Sequence, residues 1–182
     1  INAGPFSPVL MVERRAHDVN GLQIADGEIV SPAEPARPVL WQDRDRVWRI
    51  SEPDFDVTDA ALAVPGFEWM LVAGEVRGNE TVLHPRTAVG LSEDGRQMIW
   101  MIVDGRQPGR SEGATTHELA LWFKQLGMHD AINMDGGGTT TLVRRDALGR
   151  RGYRILNRTI HGGVPGLQRV SASHLGVRAG EQ

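Results

Sequence analysis

"TTHELALWFKQLGMHDAINMDGGG", residues 115–138, passes from a helix to a strand to a turn without a break. Thr115 and Glu118 stand in the T-x-x-E relation of a capping box, where each satisfies an amide that the helix would otherwise leave without a partner. Leu119, Trp122, Phe123 and Leu126 follow at helical spacing and form one apolar stripe. Gly127 is a natural stop. DAINM (130–134) then reads as a short buried strand, and it ends at Asp135 and three glycines.

Upstream, TAVGL (87–91), SEDG (92–95) and RQMIWMIV (96–103) predict a β-hairpin that turns at Asp94-Gly95. The run from Met98 to Val103 is apolar on both faces, which predicts a central strand covered on both sides. It stops at Asp104-Gly105-Arg106. The order is therefore strand, acidic glycine turn, helix, strand, acidic glycine turn. That order predicts an α+β or mixed α/β fold, with a central, mostly mixed sheet, a few covering helices and a single domain over residues 1–182. Ligands of open α/β sheets sit beyond the carboxyl ends of strands, so Asp104 and Asp135 are expected in one crevice.

The first half is less regular. NGLQIADGEIVSP (20–32) reads as a hairpin turning at Asp26-Gly27, residues 31–38 as a proline-rich surface loop and RVWRI (46–50) as a strand. FEWMLVAGEV (67–76) fits either a strand or a buried helix. After the glycines, TTTLV (139–143) reads as the start of a strand, and residues 163–177 as a loop with a last strand.

Composition bounds the function. The chain has 182 residues, 40% of them hydrophobic and 24% charged, which suits a packed core rather than disorder. A net charge of −3 argues against a nucleic-acid or anionic-membrane surface. Without cysteine there are no disulfides or thiolate zinc sites. No apolar run reaches the roughly 18 residues of a membrane span. The chain opens on Ile1 rather than an initiator methionine and reads as a mature or trimmed piece lacking its N-terminal end, compatible with a periplasmic or secreted location. The 22 glycines and 10 prolines follow no period, which implies tight turns between short strands.

Chemistry concentrates at the two acidic turns. An uninterrupted glycine triplet beside a carboxylate lets a ligand approach bare amides, and successive amides can form an anion nest; the bland alternative is a tight turn. No G-K-[ST] follows, so this is no P-loop. Asp135 and Asp104 can each serve as nucleophile, base or metal ligand, or simply cap a D-G turn. Arg86 and Arg106 can grip a phosphate through a guanidinium fork. Glu118 is a further acid/base candidate, although its place in the cap already explains it. Thr139, Asn133 and Ser111 can offer polar groups to a ligand. Asp104, Asp135 and Glu118 could supply hard oxygens to a divalent cation, but no ligand spacing marks a metal site and no cofactor is expected. His17, His84, His117, His129, His161 and His174 show no metal spacing; His161, in the glycine loop HGGVPG, is the one kept in reserve.

RTAVGL (86–91), VDGR (103–106), SEGATTHELALWFKQLG (111–127) and INMDGGGTTTLV (132–143) together resemble, in order, the phosphodiester glycosidase family. That family includes the catalytic domain of the lysosomal "uncovering" enzyme and bacterial exopolysaccharide-associated proteins. INAGPF (1–6), the 20–32 hairpin and residues 163–177 resemble its remaining segments, so the likeness covers nearly the whole chain. INAGPF carries alanine and proline where glycine and an aromatic are usual, which puts the pocket near Asn2 in question. Threonines replace the usual serines after the glycines, and the arginine-rich residues 144–162 do not align.

The resemblance implies hydrolysis of the C1–O bond of a sugar-1-phosphodiester of N-acetylglucosamine-1-phosphate type, or of a related surface-glycan linkage. It implies Asp135, Asp104 and Glu118 as catalytic candidates. Arg86, Arg106, Asn133, Gly136, Gly137, Gly138, Thr139, Ser111 and Asn2 would contact a carbohydrate or sugar-phosphate substrate. The rival expectations are a non-catalytic glycan or sugar-phosphate binding module in exopolysaccharide metabolism and a plain scaffold. Oligomeric state is not legible.

Overall fold

The computed structural model describes residues 1–7, 18–146, 148 and 152–178. Among them are fourteen strands and one α-helix. One five-stranded sheet contains β1 (Gln23–Ala25), β2 (Glu28–Ser31), β3 (Val39–Asp43), β4 (Trp48–Ser51) and β5 (Ala60–Pro65), in the order β2-β1-β5-β3-β4. The other contains β6 (Glu68–Val72), β7 (Glu75–Val76), β8 (Arg86–Leu91), β9 (Met98–Val103) and β10 (Asp130–Asn133), in the order β7-β6-β10-β8-β9. Every pairing in both is antiparallel. Two small hairpins follow: β11 (Val143–Arg145) with β12 (Tyr153–Ile155), and β13 (Ile160–His161) with β14 (Val164–Pro165).

This corrects the expectation of a mixed α/β or α+β fold with several covering helices. The protein is mostly β, and the single α-helix among the described residues is α1 (Thr116–Gln125). The misreading has a local cause. β9, α1 and β10 do form a crossover, and β9 and β10 run parallel to one another. However, β8 lies antiparallel between them and pairs with both along its length. A pairing partner that precedes the crossover in sequence leaves no trace in the crossover's own periodicity.

The two large sheets pack face to face through Leu40, Leu62 and Val64 of the first against Val89, Leu91 and Ile132 of the second. Trp48, Trp69 and Trp100 border this layer. The outer face of the second sheet is covered by α1, whose Leu119, Ala120 and Phe123 meet Met70, Leu71, Ala88 and Ala131. The helix comes close because Gly90 in β8 carries no side chain: a Cβ there would stand 2.5 Å from the Phe123 ring. The outer face of the first sheet is closed by Phe55, which stacks on Trp41 at 4.4 Å between ring centroids.

The Thr115 capping box forms as the sequence predicts. The apolar stripe is narrower than expected. Leu119 and Phe123 are buried, while Trp122 and Leu126 remain 42% and 53% exposed, because α1 rests on the sheet along one side only. β9 is an edge strand rather than a central one. Its two faces are each half covered, one towards α1 and one towards the first sheet, and the fully buried strand is β8. FEWMLVAGEV resolves into β6 and β7 around an Ala73-Gly74 turn with both residues at positive φ, the signature of a tight hairpin. TTTLV gives a 3₁₀ turn (Gly137–Thr139) and then β11, and the last strand reduces to a single bridge between His174 and Asn2.

Candidate active site

One end of the second sheet gathers the functional side chains. Glu68 opens β6, Asn133 closes β10 and Arg86 opens β8, while Arg106 follows β9. These elements stand in the order β6-β10-β8-β9. With Phe67, His84, Pro85, Gly136, Gly137 and Arg169 they line a cleft of about 400 Å³.

Gly136 and Gly137 floor this cleft, Gly138 lies behind them, and each glycine is bare for its own reason. A Cβ on Gly136 would stand 2.8 Å from the carbonyl oxygen of Pro85. Gly137 has φ +63, and its Cβ would meet the Arg106 guanidinium at 3.2 Å. On Gly138 a Cβ would meet Arg169 and His161, each at 3.2 Å. The missing side chains therefore make room for protein groups, cations among them. The anion-nest expectation changes accordingly, since the Gly136 amide donates to Asp135 Oδ1 at 3.0 Å and the Gly137 amide to the Pro85 carbonyl at 2.8 Å.

Asp135 lies beneath this floor and is 6% exposed. Its Oδ2 accepts from the Thr139 hydroxyl at 2.7 Å, and Arg169 Nη2 stands 3.7 Å from Oδ1. Burial pushes its carboxyl above the ordinary value; the Thr139 hydrogen bond, the Arg169 charge and the Gly136 amide oppose this without cancelling it.

The arginines face the cleft from three directions. Arg86 is anchored by Nε to the Ala114 carbonyl and by Nη2 to the Val82 carbonyl, both at 2.9 Å. Arg106, at φ +55, donates from Nη2 to His84 Nδ1 at 3.1 Å. A guanidinium can only donate, so Nδ1 accepts and the neutral His84 ring carries its proton on Nε2. Burial and then the charges of Arg106 and Arg86 lower the His84 pKa, which favours that neutral ring. Arg169 arrives from the C-terminal segment, its Nε buried without a hydrogen-bond partner.

Four expected residues sit elsewhere. Asp104 accepts from the Arg158 amide at 3.0 Å and from Asn157 Nδ2 at 3.2 Å, in a separate hollow of about 300 Å³. Asp104 and Asp135 thus share a sheet end but no cleft lining. Ser111 donates to the Asp104 carbonyl at 2.6 Å and shapes the 107–111 turn. Glu118 accepts from the Thr115 amide at 2.8 Å and completes the helix cap. Asn2 is buried with both ends of its amide engaged. Nδ2 donates to the Asp135 carbonyl and to Thr139 Oγ1, while Oδ1 accepts from Thr87 Oγ1 at 2.8 Å and the Thr141 amide at 3.1 Å. Among the described residues, no three His, Asp or Glu side chains are placed to share a metal ion.

Five lining residues escaped the sequence reading: Phe67, Pro85 and the three ionisable ones, Glu68, His84 and Arg169. Glu68 is a lone charge at the head of an apolar run, a visible signal. His84 stands two residues before Arg86 and was set aside with the other histidines. Arg169 has no local signal, because only the fold brings residue 169 to the glycine turn. His17 lies outside the described residues.

The sequence profile of the phosphodiester glycosidase family matches residues 1–178. The chain belongs to that family. Two curated proteins resemble this phosphodiester glycosidase chain in sequence. An uncharacterized protein of the SPbeta prophage of Bacillus subtilis (strain 168) is 30% identical over 140 residues, 68% of the chain and 21% of that protein. N-acetylglucosamine-1-phosphodiester alpha-N-acetylglucosaminidase of Mus musculus is 39% identical over 67 residues, 37% of the chain and 12% of that protein. The chain therefore spans well under a quarter of the length of either relative. Among solved structures, it resembles the catalytic domain of the zebrafish enzyme of that name, auto-inhibited by its pro-peptide (TM-score 0.58, 23% identity, 77% of this chain and 51% of that one). It also resembles a hypothetical protein from Synechocystis (TM-score 0.53, 12% identity, 87% and 48%). At these identities the structural likeness is one of fold. Among the described residues, no helix is long and apolar enough to cross a membrane.

Proposed function

We propose that this cleft hydrolyses the C1–O bond of a sugar-1-phosphodiester, of the N-acetylglucosamine-1-phosphate type or a related glycan linkage. The observation that carries this reading is the convergence of Arg86, Arg106 and Arg169 on one cleft, where Glu68 is the only lining carboxylate among the described residues. Family membership and the mouse relative's name support the same chemistry.

In this reading the guanidiniums hold the phosphate. Water adds to C1, the bond from C1 to the phosphate oxygen breaks, and the phosphate monoester leaves with the electron pair. The transition state is oxocarbenium-like. The leaving group needs little protonation, so charge stabilisation by fixed cations is the main demand. Asp135 takes the water's proton, and its raised pKa suits a base working nearer neutral pH than a free carboxylate. Arg169 stands at 3.7 Å from Asp135, too far for a hydrogen bond, and its Nε is unpartnered. An incoming phosphate can therefore draw Arg169 away, while the Thr139 hydroxyl and the Gly136 amide go on holding the Asp135 carboxylate in place. Thr139 and Asn133 hold the site's shape on either side.

A binding module with the same cleft is the second reading, favoured by the hydrogen bonds that occupy both oxygens of Asp135. Release of free sugar from a simple ester of N-acetylglucosamine 1-phosphate separates the two. Turnover by the wild type and its loss in Asp135→Asn are expected. The Thr139 hydroxyl can switch its donation to the Gly136 carbonyl, 2.8 Å away, and accept from the new amide, so that variant keeps its fold. Sugar-phosphate binding without product from the wild type would overturn the hydrolase reading.

A further inference from the structure

We infer that Glu68 is a specificity residue that reads hydroxyl groups on the edge of the sugar remote from C1. This rests on the sugar-phosphate reading of the cleft and adds the part of the substrate that the arginines do not touch.

The strand order sets up the separation. Glu68 belongs to β6 and Arg86 to β8, with β10 between them, and Arg106 lies one strand further out. At about 4.8 Å per strand, Glu68 and Arg86 stand on strands roughly 10 Å apart. A hexose 1-phosphate with a hydrogen bond at each end reaches about that far. With its phosphate against the arginines, the sugar's far edge comes to β6. The register fixes this, since Glu68 pairs with Asn133 across β6 and β10.

The chemistry at that edge suits hydroxyl donors. Glu68 is half-buried, and the partners of its oxygens are neutral: Asn79 Nδ2 at 3.2 Å and Asn133 Nδ2 at 3.5 Å. Among the described residues no cation forms an ion pair with it, although the Arg86 charge lies near enough to interact. A carboxylate has more acceptor capacity than two amide contacts use. The side chain of Asn133, itself 5% exposed, holds Glu68 from one side while lining the same cleft. Phe67, 41% exposed and with the Arg37 guanidinium over one side of its ring, adds apolar surface to the cleft beside it. A purely anion-binding site would gain nothing from a carboxylate in its lining; a site that must also orient the sugar would.

Sites built to bond a hydroxyl discriminate strongly against the analogue that lacks it. The probes are N-acetylglucosamine 1-phosphate and its 4-deoxy and 6-deoxy forms, titrated calorimetrically against wild type, Glu68→Ala and Glu68→Gln. At least one deoxy form should bind the wild type about 10-fold or more weakly than the parent, and this penalty should shrink to within about 2-fold in Glu68→Ala. Glu68→Gln, which keeps one acceptor, should fall between. Melting temperatures of the three proteins confirm that each is folded. Deoxy penalties equal in wild type and Glu68→Ala, or absent from both, would overturn the assignment. The same pattern of binding, with no free sugar released from the N-acetylglucosamine 1-phosphate ester, would overturn the hydrolase reading and leave the role of Glu68 standing.

Discussion

Substituting Gly137 by alanine separates two costs that the structure assigns to different atoms. Gly137 lies at φ +63, where an L side chain costs roughly 1–2 kcal/mol. The new Cβ would also stand 3.2 Å from Arg106 Nη1 and 3.3 Å from Nη2, closer than ordinary contact, so the guanidinium must move. Gly74, in the β6–β7 turn, provides the control. Its φ is +76 and a Cβ there meets nothing within 4 Å, so alanine brings the backbone cost alone. Both variants should lose similar stability, lowering the melting temperature by about 2–8 °C in a chain of this size. Only Gly137→Ala should also lose affinity for N-acetylglucosamine 1-phosphate. Displacing one charge-assisted hydrogen bond, worth about 1.5–3 kcal/mol, weakens binding roughly 10-fold or more. Thermal scans and calorimetric titration of the two variants side by side make the measurement. Equal affinities in the two would refute the claim that this glycine exists to seat Arg106.

Two further outcomes follow from groups beneath the cleft. Burial holds the Asp135 carboxyl above its ordinary 3.8, so the folded state binds that proton more tightly than the unfolded chain. The stability from this group is full below pH 3.8 and is lost as the pH rises through the raised value. Asp135→Asn should therefore gain stability relative to the wild type over that rise and keep the gain at neutral pH, as melting curves from pH 3 to 8 would record; a variant less stable at pH 7 would contradict the sign. Asn2→Ala should cost about 2–4 kcal/mol in urea unfolding, since it strands several buried donors and acceptors at once; a loss under about 1 kcal/mol would mean that the turn does not depend on this tie.

The hairpin of β8 and β9, the capped helix and β10 were all legible, because each is encoded by neighbours in sequence: a D-G turn, a T-x-x-E box, a short apolar run. The sheet that contains them was not, because β8 also pairs with β10, and no local pattern records that pairing. The site divides in the same way. Arg86, Arg106, Asn133 and the glycines adjoin strand ends that the sequence marks, and they meet. Asp104 adjoins one too, yet it turns to the loop carrying Asn157 and Arg158, since a strand end fixes a place on the sheet but not the side to which the next residue points. Arg169 depends on the path of the C-terminal segment and Glu68 on the order of strands, both non-local.

The pairing of residues 1–3 with residues 173–175 has a consequence for how the site comes into being. Ile1 and Ala3 are hydrogen-bonded to Leu175 and Ser173, and Asn2, held between them, ties down the turn that carries Asp135. Arg169 comes from the same late stretch. During synthesis the two sheets and α1 can assemble before residues 169–175 are made, but the cleft then lacks a cation and its floor lacks a fastening. The Ile1–Leu175 contact spans 174 positions of sequence, and contacts of such separation are slow to close. The floor of the cleft thus closes after the sheets, and a chain truncated before residue 169 should carry the β layers without the pocket.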